Sequence, residues 1–239
     1  MPTLIDFLLR WRHLFLLIAL LALLVVQPIA SAFGWMTALF NALLAVVMVT
    51  LVVAFAADSR WRVAAAGFCV AVTALSFGGQ FFSSAAEVVS LGTGHAIGAL
   101  FFAAVAGKIV YSVLKSRRLS LDSIFGAVCG YLLLGLAWAL TYDMIYAARP
   151  DSFQIAPETL QQIQESGESR HLFVYYSFVT LTTVGYGDVT PVSTPARTLS
   201  WFEAMTGQLY LTVLIAGLIS ALVAARSPLA GSVHSVGEK

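Results

Sequence analysis

Long apolar runs separated by short polar breaks dominate this chain. Six of them match the about 20 residues that a helix needs to cross hydrocarbon. They cover 14–33, 35–57, 63–82, 88–110, 124–147 and 199–225, and the first two meet at a break near Gly34. A further apolar run, 171–181, is only half as long. Eleven residues make ~17 Å of helix, at about 1.5 Å per residue, which is too short to span a bilayer. Ser169 precedes this run as an N-cap residue, and a glycine-punctuated segment follows it. Irregular backbone at membrane depth is tolerated only where it is buried in protein or lines water. The pattern therefore predicts an all-α membrane protein: six transmembrane helices, with a re-entrant pore helix and a pore-lining strip between the fifth and sixth.

Composition agrees. The 239 residues are 59% hydrophobic and 10% charged, against roughly 25% charged in a soluble domain. A net charge of +1 gives no basis for nucleic acid as a partner. Cys69 and Cys129 both fall inside apolar runs and read as packing residues, with no metal or cofactor cluster. The basic residues set an orientation. With the N-terminus inside, Arg10, Arg12, Arg60, Arg62, Lys108, Lys115, Arg117, Arg118, Arg226 and Lys239 face the cytoplasm. Only Arg149, Arg170 and Arg197 face out, a strong positive-inside bias that places both termini in the cytoplasm. Trp11, Trp35, Trp61, Tyr142, Tyr146 and Trp201 sit at run ends, as interfacial belts do. The first run also reads as a secretory signal cleaved after Ala32, which leaves five spans and the same orientation. The outer loop 148–170 is mildly acidic; Pro157 starts a short helix there, and the loop either gathers cations or is merely solvated.

The chemistry lies in Thr182-Thr183-Val184-Gly185-Tyr186-Gly187-Asp188. Gly185 and Gly187 adopt positive φ at little steric cost. Alternating them with Val184 and Tyr186 turns successive carbonyls to one side and the larger side chains to the other. The Thr183 hydroxyl adds one more oxygen. The half-length helix points its carbonyl end at the same place, and helix C-termini favour cations. One strand supplies a quarter of each ion cage, so the motif demands a homotetramer.

From 124 to 225 the chain resembles the pore module of the potassium-channel family, in which TVGYG carbonyls replace the ion's hydration shell. The six-span order with the pore last resembles the voltage-gated branch. The resemblance implies K+ ligation by Thr183, Val184, Gly185 and Tyr186, with Thr182, Gly187 and Asp188 shaping the filter and its mouth. It places Tyr175 and Tyr176 in an aromatic cuff, with Tyr175 in reach of Asp188. Gly207 falls at an inner-helix hinge and Gly217 near the gate. Gly207 also reads as a small residue for close packing. Glu203, a carboxylate inside an apolar run, is expected to brace the filter from behind or to reach water at the outer interface. Gln208, Leu211, Ile215 and Ile219 form a helical stripe expected to line the cavity.

The departures bear on control. A voltage sensor needs several charges on its fourth span. Here 88–110 carries only His95 and Lys108, and His95 reads as a pH sensor or as a structural residue. The chain thus divides into a four-helix sensor-like domain without sensor charges (1–118), a pore domain (119–226) and a short cytoplasmic tail (227–239) with no room for a ligand-binding domain. The expected activity is passive K+ conduction in a plasma (inner) membrane, without enzymatic chemistry. The alternatives are a pore subunit that conducts only with a partner or modulator, and a secondary transporter. The latter class shows internal repeats and paired broken helices, which this sequence lacks.

Overall fold

The computed structural model describes residues 11–30, 84–115, 121–157, 159–161 and 170–226. The runs 35–57 and 63–82, Cys69, Ser169, the His95 side chain and the tail 227–239 lie outside the described parts.

Among the described residues five helices carry the architecture: α1 (Arg12–Ala30), α2 (Ser84–Lys115), α3 (Leu121–Ala148), α4 (Arg170–Leu181) and α5 (Thr194–Arg226). Among the described residues α3, with 28 residues, is long and apolar enough to cross a membrane. Shorter apolar stretches lie in α1 (Arg12–Val25), α2 (Ala96–Tyr111) and α4 (Leu172–Leu181). The number of spans rests on the sequence pattern.

Helix α3 is the hub. Its buried positions are rich in small residues, including Gly126, Ala127, Gly130, Gly135, Ala137 and Ala139. Small residues let helix backbones approach closely where lipid supplies no hydrophobic drive. Leu16 and Leu20 of α1, Phe102 and Val105 of α2, and Leu133 of α3 form one core. Asp122, in the first turn of α3, ties α1 to this core. Its carboxylate accepts from the His13 backbone N–H at 3.1 Å and lies 2.7 Å from His13 Nδ1. The His13 N–H is one of the helix-start donors with no partner inside its own helix. Gly126 makes room for the imidazole: a Cβ there would stand 3.2 Å from the ring. Cys129 is buried with a free thiol.

The all-α expectation is corrected at the outer end. After a short 3₁₀ turn (Pro150–Ser152), β1 (Phe153–Ile155) pairs antiparallel with β2 (Val189–Pro191), Gln154 opposite Thr190. The Ala156 N–H donates to the Asp188 carbonyl at 3.1 Å and the Val192 N–H to the Ser152 carbonyl at 2.8 Å. The loop, read as either gathering cations or merely solvated, pairs with the segment just after the glycine-rich strip. Three-residue strands are too short for a period-2 pattern to register. The chain also turns helically at 157 and 159–161, where the Leu160 N–H donates to the Ala156 carbonyl.

Candidate functional site: a short helix and the glycine-rich strip

Helix α4 is anchored by aromatic packing. Phe173 and Tyr176 are buried with Tyr142 of α3 and Phe153 of β1 in a second core. Tyr142 and Tyr176 meet edge to face with centroids 5.0 Å apart, and Phe153 meets Phe173 at 5.0 Å. Edge-to-face aromatic contacts each contribute about 0.5–1.5 kcal/mol beyond burial. Gly135 of α3 lets α4 come close, since a Cβ there would stand 2.8 Å from the Phe178 ring.

The last four carbonyls of a helix have no partner in the helix itself. Here three are taken by the turn that follows. The Phe178 carbonyl accepts from the Thr182 N–H at 3.1 Å, Val179 from the Val184 N–H at 2.9 Å, and Thr180 from the Thr183 N–H at 2.9 Å. The fourth, Leu181, accepts from the Tyr131 hydroxyl of α3 at 3.3 Å.

The strip beyond it has an alternating backbone. Thr183, Gly185 and Gly187 have φ of 60°, 58° and 82°. Among the described non-glycine residues, only Thr183 has positive φ, so Val184 and Tyr186 do not share it. Alternation of left-handed and ordinary residues turns consecutive carbonyls to the same side. For a β-branched threonine this conformation is a genuine outlier, costing about 1–2 kcal/mol. Such strain persists where the surroundings impose it, and it clusters at functional sites. The glycines have open space where a Cβ would stand, so backbone conformation, not crowding, requires them.

Within one chain the strip 182–188 is exposed. Val184 is 52% exposed and Tyr186 71%. The Tyr186 ring lies parallel to that of Tyr175, with centroids 6.4 Å apart. The Tyr175 hydroxyl donates to Asp188 Oδ2 at 2.7 Å, and Asp188 Oδ1 accepts from the Val189 N–H. Tyr176 points the other way, its hydroxyl 2.6 Å from Ser200 Oγ of α5.

Glu203 of α5 is fully buried. The Tyr142 hydroxyl donates to its Oε2 at 2.7 Å. Ser177 Oγ of α4 lies 2.6 Å from Oε1 and 2.7 Å from the Gly135 carbonyl. Glu203 therefore joins α3, α4 and α5 behind the strip and does not reach water within the chain. Gly207, one turn on, presses against the end of α4. Along α5, Gln208, Ile215 and Ile219 are exposed, and Leu211 and Gly217 half-buried.

Sequence reasoning missed Tyr142, Ser177 and Tyr131. Tyr142 reads as an interfacial residue in the linear pattern, yet it is fully buried. Polar side chains inside apolar helices were the available signal for all three.

Comparison with known proteins assigns this module. A family model described as "Ion channel" matches residues 127–224, from the first third of α3 to the end of α5. Protein LctB of Geobacillus stearothermophilus is 33% identical over 109 residues, 44% of this chain and 75% of that protein. Protein LctB of Bacillus caldotenax is 33% identical over 103 residues, 43% of this chain and 75% of that protein. Two pore potassium channel c of Oryza sativa subsp. japonica is 30% identical over 90 residues, 38% of this chain but 18% of that protein. No solved structure matches the chain. A short helix running into a strained, glycine-punctuated strip, within a segment that matches ion channels, makes this chain a member of the ion-channel family, a membrane protein and not an enzyme.

Proposed function

We propose that this chain is one subunit of a homotetrameric, potassium-selective channel that conducts K+ passively through the strip Thr183–Tyr186. The observation that carries the reading is the left-handed alternation at Thr183, Gly185 and Gly187. It directs backbone oxygens to one side, and four such strips around an axis make a ladder of oxygen cages that replaces the ion's water shell. The Thr183 hydroxyl closes the ladder at its inner end. Val184 and Tyr186, largely exposed in one chain, pack against neighbouring subunits on assembly. Thr182, Gly187 and Asp188 shape the ends of the ladder, and the Tyr175–Asp188 bond holds the outer mouth.

The exposed stripe Gln208, Leu211, Ile215 and Ile219 faces the water-filled cavity, and the inner gate lies near Gly217. The carbonyl end of α4 turns its negative dipole end toward that cavity and favours a cation there. Residues 1–118 form a sensor-like domain that does not sense voltage steeply. Among the described side chains of α2, Lys108 is the charged one, and steep gating needs several charges. Both termini lie in the cytoplasm, and the channel sits in the plasma (inner) membrane. The printed name of the rice relative, a potassium channel, supports the choice of ion.

The test is bilayer recording of purified protein under opposed K+ and Na+ gradients with stepped voltage. The expected reversal potential follows the K+ gradient, with a shallow conductance–voltage curve. A reversal potential between the two ions refutes selectivity. A steep curve refutes the silent fourth span.

A further inference from the structure

Gly207 reads both as a hinge and as a small residue for close packing. Its surroundings in the fold bear on the second of these. Helix α5 passes the end of the pore helix so closely that a Cβ on Gly207 would collide with the Leu181 backbone oxygen and stand 3.0 Å from Leu181 Cδ1. That approach is to backbone, which cannot swing aside. From the other side, the Tyr131 hydroxyl donates to the same Leu181 oxygen at 3.3 Å. Leu181 is fully buried. Its carbonyl is the one pore-helix terminal acceptor that the following turn does not fill; the Val184 and Gly185 amides both turn to Val179 instead. Two residues later the strained Thr183 begins the strip.

The Tyr131 ring is itself held. It packs on Tyr210 of α5 with centroids 5.5 Å apart, and the Tyr210 hydroxyl donates to the Ala127 carbonyl of α3 at 2.6 Å. Gly130 permits this, because a Cβ there would collide with the Tyr210 hydroxyl. Outer and inner helices are thus locked to each other directly below the point where both grip the pore helix.

We propose that Tyr131 and Gly207 are positioning residues for ion selection: together they seat the Leu181 carbonyl and so set where the oxygen ladder starts. Gly207 acts here as a contact surface for the pore helix. The inference rests on the filter reading above and goes beyond it, because neither residue touches the ion. A shift of the seat passes through Thr182 to Thr183, the first ligand.

The experiment uses the full-length tetramer in liposomes, with Tyr131→Phe and Gly207→Ala compared with the unmodified protein. Tyr131→Phe keeps the ring contact with Tyr210 and deletes one hydrogen bond. It is expected to lower the K+/Na+ permeability ratio about 2- to 10-fold, the range that one net hydrogen bond supports. It should also shrink the extra thermal stability that K+ confers over Na+. Gly207→Ala is expected to lower the ratio further. If that tetramer does not assemble, Tyr131→Phe decides. A hinge predicts the opposite split for Gly207→Ala: altered open probability with an unchanged reversal potential. Unchanged reversal potentials and unchanged K+ stabilisation in both variants, with a selective unmodified channel, overturn this inference alone. An unmodified channel that does not select K+ refutes the filter reading, and this one with it.

Discussion

Removing the Glu203 carboxylate tests whether the contact behind the glycine-rich strip holds α3, α4 and α5 together. In Glu203→Ala, Tyr142 loses the acceptor that its hydroxyl reaches at 2.7 Å. Tyr142 is fully buried, so its O–H is left unpaired at a cost of about 1–3 kcal/mol. Ser177 fares better, because the Gly135 carbonyl remains 2.7 Å away. One buried methylene is lost as well, at about 0.8 kcal/mol. The expected destabilisation is about 2–4 kcal/mol per subunit. Tyr142→Phe removes the same hydrogen bond from the other side and should cost about 1–3 kcal/mol. The two effects share one contact, so the double variant should fall short of their sum by about 1–2 kcal/mol. The assay is denaturation of the detergent-solubilised tetramer for all four proteins in K+, followed by single-channel recording. Strict additivity within about 0.5 kcal/mol would show that the two groups act independently. In that case the bracing argument fails, however unstable the single variants are. Unaltered conductance, selectivity and inactivation in Glu203→Gln would likewise show that the contact does not reach the filter.

Gly185→Ala, at φ 58°, should abolish K+ flux in liposomes, since the left-handed conformation costs about 1–2 kcal/mol in each of four copies; retained flux would mean that the strip is not the conduction path. Tyr175→Phe deletes the exposed hydrogen bond to Asp188, and a loss of about 0.5–1.5 kcal/mol should appear as faster decay of current under sustained opening, with unchanged assembly. Asp122→Asn weakens the tie to His13 and Arg12, and proteolysis should cut α1 from the rest more readily while the pore segment 121–226 remains protected. Cysteines at Gln208, Ile215 and Ile219 should react with cytoplasmic thiol reagents in the open state, and protection there with labelling on the opposite face would reassign the cavity wall.

Much of the site was legible because it is written locally. A half-length apolar run before a glycine-punctuated strip reads as a short helix entering irregular backbone, and the structure forms α4 over Arg170–Leu181. The need for positive φ at Gly185 and Gly187 is a property of those residues alone. Thr183 was not legible in this respect. A β-branched residue gives no local signal for φ 60°; the conformation is imposed by the turn, whose N–H groups fold back on α4. The ribbon of β1 and β2 was missed for a related reason. It joins residues more than thirty positions apart in strands of three, and no periodic pattern survives over so short a length.

By itself, then, the sequence determined the medium, the order of the pore-segment elements and where the backbone could be bent. Apolar run length sets what can lie in a bilayer, and residue type sets which backbone can be bent. Only the tertiary structure decided what stands behind the strip. That Tyr142 is core, that Glu203 joins three helices, and that Gly207 touches the Leu181 carbonyl all depend on which helix faces meet. Those faces are chosen by close packing of small residues along α3. In a chain that is apolar on every side, the linear pattern carries no mark of which face turns inward.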